Sequence, residues 1–265
     1  MKYIFCLLII IFSVNAFSGQ NKTLKIYVEY AVMKGSINTV EYLIADANNA
    51  LYTTEIVEIT NNEIIKKEGD NQYSINPAEI KINAMKYYTK SDSPTMYFVS
   101  QPKNIQNTIV AIDSLPDISW KLNTNESKIL NTFKCYKAEG TFRGSEIIAY
   151  YTPEIPIVFG PFKFKGLPGL IMEVYNDDNG LQYHWKASKI IIPFKQDIDL
   201  KFLSESYNSP IVTYRSIVEK FENKLKQMDQ TMKTKVSRGG FIKLNNTERV
   251  SIEKIYEWEK ETIED

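Results

Sequence analysis

The sequence predicts an α+β protein dominated by strands, built as a large curved antiparallel sheet or partly closed barrel with a C-terminal helix packed on it. Three observations lead there. Short runs of alternating apolar and polar residues recur along most of the 265 residues, separated by polar, Gly or Pro links, which is how successive half-buried strands read. An Asn-Gly pair, Asn179-Gly180, lies between the apolar runs Leu170 to Tyr175 and Leu181 to Ile192 and marks a hairpin turn. After Ser209-Pro210 the apolar spacing changes to three and four, the period of a helix with one apolar face.

At the N-terminus, Lys2 precedes an apolar run from Tyr3 to Phe12 and then Ser13-Val14-Asn15-Ala16. A basic start, an apolar stretch and small residues at −3 and −1 make a signal peptide over residues 1–16, cleaved after Ala16. The run is too short for a hydrocarbon core about 30 Å thick. Cys6 sits at its start, far from the cleavage site, so the pattern is not that of a lipoprotein. The expected location is outside the cytoplasm: periplasmic, associated with the outer membrane, or secreted. A single strand-rich domain is expected over residues 17–240, followed by a charged tail over 241–265.

The whole chain carries 32 basic and 32 acidic residues, and loss of Lys2 barely changes that balance. Near-neutrality argues against a nucleic-acid partner. No later apolar stretch has the length of a transmembrane helix. Once Cys6 leaves with the signal, Cys135 is the one remaining cysteine; it shares a strand face with Phe133 and reads as a small buried hydrophobe.

Taken in order, the strand-like runs are Leu24 to Tyr30, Val40 to Ala45 after a break at Gly35, Leu51 to Ile59 after the turn residues Asp46 to Asn49, Ile80 to Tyr88, Met96 to Ser100, Thr108 to Ile112, Ser119 to Leu122, Phe133 to Phe142 and Glu146 to Tyr151. Asp177, Asp178 and Asn179 lack the alternation and distal Glu of a calcium loop and read as a turn. The helix is expected to be capped by Ser209 with Pro210 at its first position. Its stripe of Ile211, Tyr214, Val218, Phe221, Leu225 and Met228 should cover one sheet face. After Gly239-Gly240 the tail should form a short exposed helix or a frayed end.

Reactive constellations are scarce. His184 is the single histidine, and no CxxC or HExxH spacing accompanies it, so no metal site and no cofactor are expected. Gly160 and Gly166 enclose five residues, but Leu167 follows where a phosphate loop has Lys. A Ser-His-Asp triad lacks its G-x-S-x-G elbow. Glu154 and Glu173 are the carboxylate pair to test for glycoside-type hydrolysis.

The most distinctive stretch runs from Tyr151 to Tyr175. Gly160-Pro161 and Gly166, with Pro168 and Gly169, give it rigid breaks, and Leu167-Pro168-Gly169-Leu170 carries the signature of a type II turn with positive φ at Gly169. Phe159, Phe162, Phe164, Leu167 and Leu170 form an apolar bend between strands. It either plugs the end of the sheet or offers a rim for a ligand or partner.

With Ile118-Ser119-Trp120, Lys134-Cys135, Lys137-Ala138, Phe142-Arg143-Gly144 and Gly166 to Ile171 in view, the chain resembles the GLPGLI family. It departs from the family at Ser145, where Arg is common, and at Tyr150, where Trp is usual. The resemblance implies an exported envelope protein of Gram-negative bacteria, of a family whose biochemical function is not established and whose genes often lie near those for outer-membrane transport. The expected role is non-catalytic binding or assembly, with an outer-membrane or periplasmic protein as partner. A carboxylate hydrolase of peptide or glycan and a carrier of an apolar ligand are the alternatives.

Overall fold

The computed structural model describes residues 24–54, 85–100, 109–177, 182–201, 203, 211–235, 249 and 251–260. Twelve strands form one sheet: β1 (Ile26–Lys34), β2 (Ile37–Ala45), β3 (Asn49–Thr53), β4 (Met85–Lys90), β5 (Thr95–Ser100), β6 (Ile109–Ser114), β7 (Lys121–Leu130), β8 (Phe133–Phe142), β9 (Ser145–Thr152), β10 (Leu170–Asn176), β11 (Tyr183–Ile191) and β12 (Ile211–Thr213). Their spatial order is β12-β6-β5-β4-β3-β2-β1-β11-β10-β9-β8-β7. The sheet has two ends and is therefore open, which settles the choice between curved sheet and barrel. The signal-peptide region, Asn179-Gly180 and the second half of the run from Leu51 to Ile59 lie outside the described residues.

Turn chemistry sets the register. In the β2–β3 turn the Asp46 carboxylate accepts from the amides of Asn48 and Asn49, each at 2.8 Å, the Asx device that its residues predict. The β7–β8 and β8–β9 hairpins each turn on two residues with positive φ, Asn131 and Thr132 (46° and 75°) and Arg143 and Gly144 (46° and 82°). Both match the type I′ turn whose twist suits a two-residue hairpin.

One sheet face, called inner here, carries the main core: Tyr30, Val32, Leu43, Tyr52, Tyr87, Phe98, Ala138, Phe142, Ala149, Val174 and Trp185 are buried in a single cluster. The opposite face holds two smaller clusters around Tyr27, Ile44 and Phe194 and around Leu51, Tyr88, Val99 and Val110. There the chain after β11 returns across the strands, with Ile198, Leu200 and Leu203 packed against them.

The C-terminal elements depart from expectation. Ser209 and Pro210 lie outside the described residues, and Ile211–Thr213 is not helical but pairs in parallel with β6. Three successive β-branched residues suit a strand, and β6 offers a free edge. Helix α1 (Tyr214–Lys235) starts after it, and Thr213 is the cap, its Oγ1 accepting from the Ser216 amide at 3.2 Å. The helix packs on the sheet through Ile217 and Tyr214, whose ring meets Phe98 edge-on at 6.3 Å. Farther along, Phe221 is 62% exposed and Leu225 48%. Among the described residues the stripe therefore docks on the sheet by its first turns, against β6 and β12.

The tail is also corrected. In the stretch 251–260, which ends in the one-turn helix α2 (Glu257–Lys260), Ile252, Glu253 and Tyr256 are buried. This segment is part of the core, not a frayed end.

Candidate functional site

Residues 153–169, between β9 and β10, form a tongue that crosses the inner face. Prolines at 153, 156, 161 and 168 deny it a strand ladder, so it folds on its own turns. The Ile157 amide reaches the Ile155 carbonyl and the Gly169 amide the Leu167 carbonyl, both at 2.8 Å. These are three-residue turns centred on Pro156 and Pro168, whose fixed φ suits them. The expected type II turn is thus replaced by a γ-turn, because the Leu170 amide bonds to Ile155 O at 3.0 Å. Gly169 does have positive φ, 148°, and a Cβ there would lie 2.1 Å from the Thr152 carbonyl oxygen. Trp120, in the Ile118-Ser119-Trp120 motif, donates to Lys165 O at 2.9 Å and pins the tongue from outside.

The sequence-predicted binding residues are brought together, but in the interior. Phe159, Phe164, Leu167 and Leu170 are buried and Phe162 is half-buried. Phe162 adopts φ 53°, unusual for a bulky residue, and so stacks on Trp185 with ring centroids 5.8 Å apart. Phe164 meets the same indole edge-on at 5.5 Å. The bend is packing and not an exposed rim. A cavity beside it, lined among others by Leu43, Tyr52 and Phe162, measures only about 10 Å³, the room of a single water.

Between these apolar neighbours the tongue aims Lys163 at a buried ionic cluster. Its Nζ lies 2.7 Å from both Asp113 Oδ2 on β6 and Glu253 Oε1 in the C-terminal segment. Arg143, in the β8–β9 turn, forks onto Asp113 with Nη1–Oδ2 at 2.9 Å and Nη2–Oδ1 at 2.7 Å. Its Nη1 also donates to Glu253, and Tyr214 OH donates to Glu253 Oε2 at 2.9 Å. Glu257, 40% exposed at its side chain, closes the outer side at 3.1 Å from Nη2. Tyr214 lies beneath the Lys163 ammonium at 3.9 Å and Tyr256 beneath the guanidinium at 5.1 Å.

Two cations and two anions, all buried, balance here, as burial of charge requires. Burial alone would raise the Asp113 carboxyl, but Arg143 and Lys163 outweigh it and hold it below its ordinary value. Burial, and then the charge of Glu253, pushes the Tyr256 hydroxyl up to about 12. Every group is tied to a neighbour, so the cluster suits clamping β6, the turn, the tongue, α1 and the C-terminal segment together.

The two carboxylates of the tested pair differ in setting. Glu154 is exposed and accepts from the Lys134 amide at 2.9 Å. Glu173, on the outer face, is buried; its Oε1 meets His184 Nε2 at 2.8 Å, and the Lys128 ammonium sits against the other oxygen. Burial would raise its carboxyl, but His184 and Lys128 outweigh it and hold it below its ordinary value. The lone histidine is therefore a satisfied strand residue bound to a carboxylate. Burial pushes the Cys135 thiol up to about 11, as expected for an inert core cysteine. An open cleft of about 350 Å³ is lined by Asp117, Ser119, Lys121, Glu139, Gly140, Thr141 and Glu146, from the start of β7 and the adjoining ends of β8 and β9. Among the described residues, no group of three or more His, Cys, Asp or Glu is placed to hold a metal ion, and no helix is long and apolar enough to cross a membrane.

Sequence reasoning missed Asp113, Glu253, Tyr214 and Tyr256 as one site. A usable signal was present: Lys163 stands between Phe162 and Phe164 in an apolar stretch, where a buried cation must find an anion.

Comparison with known proteins agrees with the motif reading. Residues 141–173 match the family model described as "Protein of unknown function (Porph_ging)". No curated protein matches the chain. Among solved structures, one of PNGF-II in the C2 space group is similar at 12% identity and a TM-score of 0.48, over 72% of this chain and 31% of that one. Another, of PNGF-II in the P21 space group, is similar at 11% identity and a TM-score of 0.52, over 74% of this chain and 33% of that one. This chain thus matches about a third of that protein's length, and at 11% identity the likeness to the second structure is one of fold alone. The matched segment from Thr141 to Glu173 holds the turn, the tongue and both buried cations, and its match is consistent with the resemblance to the GLPGLI-type family of unknown function.

Proposed function

We propose that the protein is exported, with cleavage after Ala16, and works in the cell envelope as a non-catalytic binding or assembly protein. The observation that supports the non-catalytic part is geometric: the buried carboxylates Asp113 and Glu173 are each engaged by two basic side chains, Arg143 with Lys163 and His184 with Lys128, and Glu154 accepts from the Lys134 amide, so these groups serve charge balance and capping. The family-matched segment is spent on packing and charge balance, which builds a rigid frame for recognition by surfaces around it. The cavity under the tongue lends the carrier alternative no support, since it has room for one water and not for an apolar ligand of several hundred Å³.

Export rests on residues 1–16 and on the family resemblance. Fractionation of cells expressing the full chain, with N-terminal sequencing of the recovered protein, tests it. The proposal expects Phe17 as first residue in the periplasmic or outer-membrane fraction; a retained Met1 in the cytosol overturns it.

A further inference from the structure

The C-terminal segment 251–260 joins the sheet as no strand does, and it adds nothing to the strand order. Lys254 and Ile255 donate their amides to a single carbonyl, Arg143 O, at 2.8 and 2.9 Å. Ile255 rests on Gly144, where an added Cβ would come within 3.0 Å of Ile255 Cγ1. Below, Glu253 spreads its carboxylate over Arg143, Lys163 and Tyr214. Three residues on, Tyr256 slides under the guanidinium and meets Tyr214 edge-on at 6.0 Å. Trp258 covers Tyr256 with rings 4.4 Å apart and nearly parallel.

Without this segment the body of the protein would hold two cations, Arg143 and Lys163, against one anion, Asp113. Burial of that excess charge is costly, so the seat demands a carboxylate from whatever covers it. The aromatic floor of Phe142 and Tyr214 asks for a ring beside the carboxylate, because guanidinium and ammonium groups are favoured over ring faces. A carboxylate followed by an aromatic three residues later is the chemistry that residues 253–256 supply.

We propose that residues 251–260 are a detachable strap, a built-in ligand occupying a seat for acidic, aromatic-bearing peptide. A partner protein docks by presenting an extended segment of the same chemistry when the strap lifts. This names the partner class for the binding role above and rests on that reading. The strap would then act as an intramolecular competitor, and a partner must outweigh the high effective concentration of a tethered ligand.

Two experiments on the full chain decide it. In hydrogen exchange at neutral pH, strap amides at 252–259 are expected to exchange at least a hundredfold faster than amides of β8 and β9, since the strap lifts without global opening. Equal rates in the two regions would mean that the strap leaves only when the protein unfolds, and would overturn the proposal. In the second experiment the probe is a fluorescent peptide with the sequence of residues 249–260. It should bind saturably to folded chain carrying Glu253→Gln, at least tenfold more weakly to wild type, and at least tenfold more weakly when the peptide itself has Gln at 253. Should Glu253→Gln fail to fold, Tyr256→Ala takes its place with the same peptide. Absence of binding to the folded variant, or indifference to the peptide's own Glu253, overturns the seat. The envelope reading stands or falls separately, on fractionation.

Discussion

Replacing Lys163 by Met is the sharpest probe of the ionic clamp. Met keeps the length and apolar stem of Lys and removes the charge, so the change isolates the ammonium. Lys163 makes two 2.7 Å ion pairs with side chains that are themselves buried. Its loss leaves Asp113 and Glu253 to share Arg143, an uncompensated negative charge in the core. Breaking one partner of a buried pair costs about 3–5 kcal/mol, a large part of the roughly 5–15 kcal/mol that stabilises a typical domain. With a urea dependence of about 3 kcal/mol per M, the midpoint should fall by about 1 M or more. Adding Glu253→Gln restores balance of charge, so the double variant should cost less than the two single changes summed, by about 1–3 kcal/mol. A Lys163→Met cost below about 1 kcal/mol, or strict additivity in the cycle, would refute the view that the cluster is a neutral, mutually dependent clamp.

Gly169→Ala should destabilise by about 3–5 kcal/mol, far beyond an ordinary surface change, because its Cβ would strike the Thr152 backbone at 2.1 Å; a melting temperature within a degree of wild type would contradict that geometry. Phe221→Asp should shift stability by no more than about 0.5 kcal/mol, since this ring is 62% exposed, and a thermal melt checks it. Acid should weaken the fold through Asp113, whose folded pKa is depressed. Its contribution is fully present above the ordinary value of 3.8 and is lost as pH falls through the folded value. Denaturant titrations at pH 7 and below 4 should show a smaller acid loss in folded Asp113→Asn than in wild type.

Most of the strand order along the chain was legible because alternation, Gly35 and Asp46 act locally. The sheet's open order was not, since nothing local tells β7 and β12 that they are the ends. The helix boundary failed at Ile211–Thr213 for a similar reason: a three-residue parallel pairing with β6 overrides a cap signal that looks sound in sequence. Phe221 and Leu225 kept the right period but are exposed. For the distinctive stretch, the choice between plug and rim turned on what lies opposite it. Trp185 and Tyr87, from distant strands, meet Phe162 and make the bend interior. The cluster was hidden because its acids come from two separate parts of the chain, with Asp113 and Glu253 in runs that otherwise look like a strand and a tail.

The central claim is that this frame recognises and does not transform. Purified mature protein should be assayed against peptide and glycan substrate panels beside a Glu154→Gln/Glu173→Gln double variant, with folding of both verified by circular dichroism. Because Glu173 is held ionised by His184 and Lys128 and Glu154 caps an exposed amide, the account predicts no turnover above the buffer rate by either protein. Turnover by the unmodified protein that the double variant loses would contradict it and establish a carboxylate-dependent hydrolase.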